Sequence, residues 1–446
     1  MKRVYLKRAA VFMAAVLTAV SINGCTGGEP RTVSNMDKAG ETAAAGVITA
    51  GETTAAAALS ESGISTEDTS GPGQQSTGTG EGAGLSGGSP DSSAGWNAGE
   101  GTGKGSAAGK KEGGDASAAG SPYKGYKGPV QGEIKYQEGR PAGENSKEYK
   151  ASGDIESPYH VDLIVTRDYG HKNIFAKNVG LVRDEVGMEV MFRNLDIQTA
   201  YGGGFVNAIN GLESGYTFFT GKDRKKLDWF YWVNGILAPI GVAEYKPQPG
   251  DVIWWDYHDW SLTMFVPAVI GSYPQPFKSG FMGKNPGTVI MYTEDTKEDA
   301  QKLKESLTAQ GVKQVDTAAY NPGIIRAPKK YYILLGVWDE LSQNNEDLKD
   351  INAKNKLVGV YAKFEDRKLQ ALNFKGKAIS TYDHSGAVYA YGASIGSINP
   401  IWLVTGTDLQ GYRLAIDTLL NNPKALTGCF GAVVTEEGVT NIPYGE

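Results

Sequence analysis

The chain has 446 residues, with 44 Lys and Arg against 50 Asp and Glu, so its formal net charge is −6. We assign one basic block to the chain, in the first eight residues. The rest of the chain has a negative net charge, which argues against a nucleic acid partner. The length leaves room for two folded domains of ordinary size, each large enough for a hydrophobic core.

The amino terminus has the layout of a secretory signal. Four basic residues precede an apolar stretch at 9–22, which is short for a transmembrane helix, and Asn23-Gly24-Cys25 follows. Residues 22–25 resemble a bacterial lipobox. This resemblance implies removal of residues 1–24, acylation of Cys25 and anchoring to the outside of the bacterial cell membrane. Cys429 would then be the remaining thiol, so neither a disulfide nor a cysteine metal site is expected.

Residues 25–150 are predicted to form a disordered tether. Up to about residue 128 they consist mainly of Gly, Ser, Ala, Thr and Glu, which bury too little apolar surface to offset the loss of chain entropy. A random coil of roughly 100 residues spans about 50 to 60 Å, enough to carry a folded head away from the membrane.

A first folded domain is predicted at residues 157–277. A hairpin at 160–182 precedes a helix at 187–195, and later strands end in Asn210-Gly211 and Asn234-Gly235, which favour type I′ turns. The order of hairpin, helix and further strands indicates an α+β, β-grasp-like fold.

Residues 160–260 resemble the bacterial transcobalamin-like C-terminal domain family, and 228–260 resemble the β domain of transcobalamin and intrinsic factor. The matching features are Val233-Asn234-Gly235, the loop at 238–245, the turn Pro249-Gly250-Asp251 and the aromatic strand that follows, with Ile209-Asn210-Gly211 upstream. The resemblance implies a corrinoid ligand such as cobalamin. The helical barrel that holds the other face of cobalamin in the animal proteins is absent here.

The strand at 252–260 is predicted to place Trp254 and Asp256 on one face and Ile253, Trp255 and Tyr257 on the other. Aromatic rings suit a broad, flat, mostly apolar disc, although about half of them are expected to be core residues. The candidate ligand-binding residues are Trp229, Tyr231, Trp232, Asn234, Ile240, Gly241, Val242, Tyr245, Trp254, Trp255 and Tyr257.

Metal and catalytic sites are not expected. His258 is interpreted as a surface or edge-strand histidine, because Ser261 stands where the Asp-x-His-x-x-Gly pattern of cobalamin enzymes needs glycine. Asp383-His384-Ser385 is interpreted as a loop, since sequence neighbours rarely form a triad. The chain is therefore predicted not to be an enzyme and to require no cofactor.

Residues 287–444 are predicted to form a second, α/β domain of unknown role. Strands are expected at 288–292, at 331–337 and from residue 401 up to a turn at 405–408, and helices at 296–307, 345–356 and up to residue 420. A hairpin is expected within 357–374. Asp408 is expected to cap the last helix rather than serve an anion site.

These features predict a lipid-anchored surface protein that captures a corrinoid or a similar flat ligand for uptake, with a membrane transporter as a possible partner. The alternative is a cell-envelope adhesion or scaffold protein whose aromatic patch meets a protein or a glycan.

Overall fold

The computed structural model describes residues 147–200, 204–219 and 222–445, together with Tyr123, Lys127, Gly128, Val130, Gln131 and residues 136–138. Within these residues the fold is α+β, with strands in four sheets. The signal, Cys25 and most of the predicted tether lie outside the described residues. No helix in the described part of the chain is both long and apolar enough to cross a membrane.

Among its described residues, the amino-terminal part of the fold has ten strands and one helix. The strands are β1 (Gln137–Glu138), β2 (Lys147–Lys150), β3 (His160–Arg167), β4 (Lys172–Gly180), β5 (Ile197–Ala200), β6 (Phe205–Ile209), β7 (Leu212–Glu213), β8 (Leu227–Val233), β9 (Ile236–Leu237) and β10 (Val252–Asp259). Helix α1 spans Gly187–Asn194. The predicted hairpin and helix are therefore present at their expected positions.

The strands form two sheets, and α1 contacts both, through Phe192 against Tyr149 of β2 and through Arg193, which donates to the Gly180 carbonyl of β4. The first has the order β1-β2-β5-β6-β7, and the second has the order β4-β3-β10-β8-β9. In the second sheet β10 runs parallel to β3 and antiparallel to β8, so the last long strand lies at the centre. Both predicted Asn-Gly turns have positive φ at each residue, as a type I′ turn requires.

The folded region begins earlier than the predicted tether boundary at residue 150. Strand β2 pairs with β5, and Tyr149 stacks on Phe192 of α1. Further upstream, the Tyr123 hydroxyl donates to the Pro247 carbonyl over 3.2 Å. A few large aromatic side chains in a polar segment are enough to attach it to the domain.

The carboxy-terminal part has ten strands and five α-helices among the described residues. The strands are β11 (Thr288–Tyr292), β12 (Val315–Ala319), β13 (Tyr331–Val337), β14 (Ala362–Glu365), β15 (Lys368–Leu372), β16 (Ala378–Tyr382), β17 (Gly386–Tyr391), β18 (Ile401–Gly406), β19 (Gly431–Thr435) and β20 (Gly438–Ile442). The helices are α2 (Lys297–Ala309), α3 (Trp338–Ser342), α4 (Glu346–Ala353), α5 (Asn355–Val358) and α6 (Leu409–Asn421). Short 3₁₀ turns occupy Glu294–Thr296, Pro322–Ile324 and Pro423–Leu426.

This part of the fold contains a mixed seven-stranded sheet in the order β12-β11-β13-β18-β17-β19-β20. Strands β14, β15 and β16 form a small antiparallel sheet beside it. The helix predicted at 345–356 is divided into α4 and α5, with Lys354 between them. The Asp408 carboxylate accepts a hydrogen bond from the Gly411 amide over 2.8 Å, which confirms the predicted cap of α6.

The central strand β10 of the second sheet is buried on both faces. One face packs on α1 in a core that includes Met188, Met191, Tyr231 and Trp255. The opposite face carries Trp232 and Trp254, and Phe430 of the carboxy-terminal domain packs edge-on against both rings at centroid distances of 5.0 and 5.2 Å. The alternation predicted along β10 is therefore correct, but the carboxy-terminal part of the same compact unit covers the face that it left unassigned.

Candidate functional site

The loop at 238–244, which carries several of the predicted ligand residues, rests on a stack of two aromatic rings. The Tyr231 and Trp255 rings lie on paired strands with centroids 4.7 Å apart and planes at 17°. The Tyr231 hydroxyl donates to the Ile240 carbonyl, and the Ala238 amide donates to the Tyr231 carbonyl over 3.1 Å. The stack therefore supports the loop from beneath.

The same loop meets the amino-terminal end of α1. The Met188 amide donates to the Val242 carbonyl over 3.1 Å, and the Gly187 amide donates to the Tyr245 carbonyl over 2.8 Å. A side chain at Gly187 would have its Cβ only 2.8 Å from Val242 Cγ2, so the close approach requires glycine there. The loop is fixed at both ends by the fold.

The loop carries a small apolar shelf, which we define as the partly buried residues Ala238, Pro239, Ile240, Gly241 and Ala243, of which Ala238, Ile240 and Ala243 also pack against the core. A Cβ placed on Gly241 would lie 4.0 Å from the Gly204 carbonyl, so β6 begins nearby. The backbone is held while apolar groups remain accessible, an arrangement suited to one face of an amphipathic ligand.

Asn234 belongs to a buried polar network rather than to an open surface. Its amide nitrogen donates to Asp251 Oδ1 over 2.8 Å and to the Gly280 carbonyl over 2.7 Å, while its oxygen accepts from the Val252 amide over 2.8 Å. Asp251 also accepts from the Tyr245 hydroxyl and from the Gln248 amide. Burial raises the pKa of Asp251, although the hydrogen bonds from Tyr245, Gln248 and Asn234 oppose that shift.

The structure corrects the interpretation of His258 as a surface or edge residue. Its strand is central, its side chain is buried, and its Nδ1 lies 2.8 Å from Asp256 Oδ1. The imidazole is stacked between the rings of Tyr169 and Phe230, at centroid distances of 4.3 and 4.7 Å. The local sequence predicted the exposure of His258 wrongly because the residues that cover it come later in the chain.

Asp256 links this histidine to the β3–β4 turn. Its carboxylate accepts hydrogen bonds from the Thr166 hydroxyl over 2.5 Å and from the amides of Tyr169 and Gly170 over 3.0 and 2.8 Å. The Thr166 oxygen in turn accepts from Trp254 Nε1 over 2.8 Å. Each carboxylate oxygen has partners, so the network is arranged to hold the turn and the sheet together.

The predicted ligand residues therefore divide by exposure. Ile240 and Gly241 are half-exposed on the apolar shelf. The others are buried, namely Trp229, Tyr231, Trp232, Asn234, Val242, Tyr245, Trp254, Trp255 and Tyr257. In this conformation the buried rings support the loop or fill the cores, and their contact with a ligand stays a prediction.

A basic segment was overlooked in the sequence. Residues 222–226 contain four basic side chains in five positions, which corrects the assignment of a single basic block at the amino terminus. They follow Phe218 and Phe219 in a surface loop. Counting charge in short windows would have identified the segment.

The described part of the chain offers few other candidates for a metal or catalytic site. No group of three or more His, Cys, Asp or Glu side chains is arranged there to hold a metal ion. His384 does not pair with its neighbours as a triad would, since its Nδ1 contacts Asp408 and its side chain is 68% exposed.

Comparison with known proteins gives one family match. The model of a domain of unknown function, DUF4430, matches residues 184–259. This segment covers α1 to β10 and includes both Asn-Gly turns and the loop at 238–244. A search of curated proteins finds no match.

Proposed function

We propose that this chain is an extracytoplasmic binding protein, anchored to the bacterial membrane through a lipidated Cys25, whose amino-terminal domain captures a corrinoid or a similar flat ligand for uptake. The observation that carries the proposal is the apolar shelf, which is hydrogen-bonded to Tyr231 above the Tyr231–Trp255 stack and is partly exposed. A corrin is a flat, mostly apolar disc fringed with amides, and it could lie against such a surface.

The topology supports a β-grasp-like, transcobalamin-type domain. A hairpin, a helix and a central parallel pair of strands follow in the order that such a fold requires. The DUF4430 match at residues 184–259 covers the helix and the later strands of this arrangement. In this proposal Ile240 and Gly241 contact the ligand, while Tyr231, Trp255, Val242 and Tyr245 position the loop.

Adhesion or scaffolding is the second candidate function. It is favoured by the burial of nine of the eleven predicted ligand residues, because a ligand that stacks on several aromatic rings would need them accessible. A protein or glycan partner would instead meet loops at the surface.

The experiment is a calorimetric and visible-absorbance titration of the chain beginning at residue 25, carrying Cys25→Ser, with cobalamin, cobinamide and haem. We expect saturable binding that Ile240→Asp abolishes, because a carboxylate on the shelf would have to be desolvated against an apolar disc. Ile398→Asp is the matched control, since Ile398 is 39% exposed in the other domain. Absence of heat and of spectral change with all three compounds would reject ligand capture and favour the adhesion candidate.

A further inference from the structure

A surface loop between β7 and β8 combines exposed aromatic rings with a cluster of cations. We call residues 216–219 and 222–226 the aromatic-cationic ledge. Phe219 is 42% exposed, Tyr216 and Phe218 are half-exposed, and Lys222, Arg224 and Lys225 are exposed. Four basic residues and one acidic residue give residues 222–226 a net charge of +3, in a chain whose total is −6.

Hydrogen bonds hold the ledge in its conformation. Its ends are joined, because the Lys225 amide donates to the Gly215 carbonyl over 2.9 Å and the Gly215 amide donates to the Leu227 carbonyl over 2.6 Å. From beneath, the buried carboxylate of Asp228 accepts from the Tyr216 and Thr217 amides, the Thr217 hydroxyl and Trp260 Nε1. Arg224 lies flat on the Tyr216 ring at 3.9 Å.

The positive charge of the ledge is not neutralised within the described residues. None of Lys222, Arg224, Lys225 and Lys226 forms an ion pair there, whereas lysines elsewhere, such as Lys302 and Lys354, pair with neighbouring carboxylates. Uncompensated cations beside an exposed apolar ring give a surface that gains from an anionic, partly apolar partner.

We propose that the ledge docks the amino-terminal domain onto an anionic lipid surface. Phe218 and Phe219 enter the boundary between headgroups and acyl chains, while the basic side chains contact lipid phosphates. Phenylalanine offers no charge or hydrogen bond to a soluble polyanion, but it gains from transfer out of water into that boundary. The combination therefore favours a membrane over a purely ionic partner.

The test is cosedimentation of the chain beginning at residue 25, carrying Cys25→Ser, with vesicles. Because this chain has no acyl anchor, the result tests the ledge alone and does not depend on whether Cys25 is lipidated. We expect binding to vesicles of phosphatidylglycerol mixed with phosphatidylcholine at low salt, release at high salt, and no binding to phosphatidylcholine alone.

Two variants separate the contribution of the cations to vesicle binding from that of the aromatic ring. Lys222→Gln with Lys225→Gln should weaken partitioning by about 25-fold, at about fivefold per cation near an anionic surface. Phe219→Ser should weaken it about tenfold through lost apolar burial. The controls are Lys313→Gln with Lys329→Gln, which removes two exposed cations from the other domain, and Ile379→Ser, which removes a side chain that is 44% exposed there.

Three results would overturn the proposal. The first is no binding to the anionic vesicles. The second is binding that the control variants weaken as much as the ledge variants do. The third is binding to soluble polyphosphate as tight as to the vesicles and unchanged by Phe219→Ser, which would assign the ledge to a soluble polyanion instead.

Discussion

At the residue scale, two asparagines in the same type of turn have different consequences. Asn210 and Asn234 both precede glycine and have φ values of 48° and 55°. The Asn210 side chain accepts one exposed hydrogen bond, from the Asp196 amide, whereas Asn234 is fully buried and makes three. The same Asn-Gly pattern therefore predicts the turn but not how much the asparagine side chain contributes to stability.

Replacement of Asn234 by alanine should lower the free energy of unfolding by about 2 to 4 kcal/mol, because Asp251 and the Val252 amide lose buried partners. Asn210→Ala is the matched control, and it should cost about 1 kcal/mol through the turn conformation and one exposed hydrogen bond. Urea denaturation of both variants measures the difference. Equal losses would show that the buried network contributes little.

Cys429 should be inert in the native protein. Burial raises the pKa of its thiol to about 12, which lowers the thiolate population by about a thousandfold at neutral pH. In the chain carrying Cys25→Ser, alkylation followed by mass spectrometry should show almost no labelling until denaturant is added. Rapid labelling of the native protein would mean that the region around α6 opens readily.

At the scale of elements, Asp228 connects β8 to the β7–β8 loop and to Trp260. Its carboxylate lies in the interior with four donors. Burial raises the pKa of Asp228, while the hydrogen bonds from Thr217, Trp260 and Tyr216 oppose the shift. The loop therefore depends on a carboxylate that is costly to ionise in the folded state.

The raised pKa of Asp228 sets the sign of a pH dependence. The folded state binds the proton more tightly than the unfolded state, so this group's contribution to stability falls as pH rises from its ordinary pKa through the raised value. Asp228→Asn removes that contribution. The stability advantage of the natural protein over the variant should therefore shrink as pH rises through the mildly acidic range, as measured by urea denaturation. An advantage that is constant or grows would contradict the assignment.

At the scale of the whole molecule, Phe430 connects the amino-terminal and carboxy-terminal parts of one compact unit. Its ring contacts Trp232 and Trp254 of the second sheet and lies 5.3 Å from the Tyr169 ring. The carboxy-terminal part thus completes a core of the amino-terminal part, and we expect the two to unfold together.

Phe430→Ala should cost about 3 to 5 kcal/mol and shift tryptophan fluorescence, because Trp232 and Trp254 lose their cover. Phe364→Ala is the control. Phe364 is equally buried but stacks on Trp338 within the carboxy-terminal domain, so its loss should leave the environments of Trp232 and Trp254 unchanged. Separate unfolding transitions in the natural protein would show that the interface does not couple the domains.

Local features were predictable from the sequence. Alternation along β10, the two Asn-Gly turns, the position of α1 and the Asp408 cap each depend on residues close in the chain, whose preferences act over a few positions. These features indicated an α+β fold with the hairpin and helix at their observed positions.

Burial was decided by the tertiary structure. Whether Trp254 and His258 face a ligand, solvent or a core depends on Phe430, more than 170 residues later, and no local pattern contains that information. The same holds for Tyr123 and Tyr149, whose distant partners extend the fold into the predicted tether. The sequence by itself determined the β3–β4 hairpin, α1, the two Asn-Gly turns and the cap of α6, because these follow from short-range periodicity and turn chemistry. Strands such as β12, β17 and β19 were not predicted. Only packing between distant segments decided which aromatic residues form cores and which surface remains open to a partner.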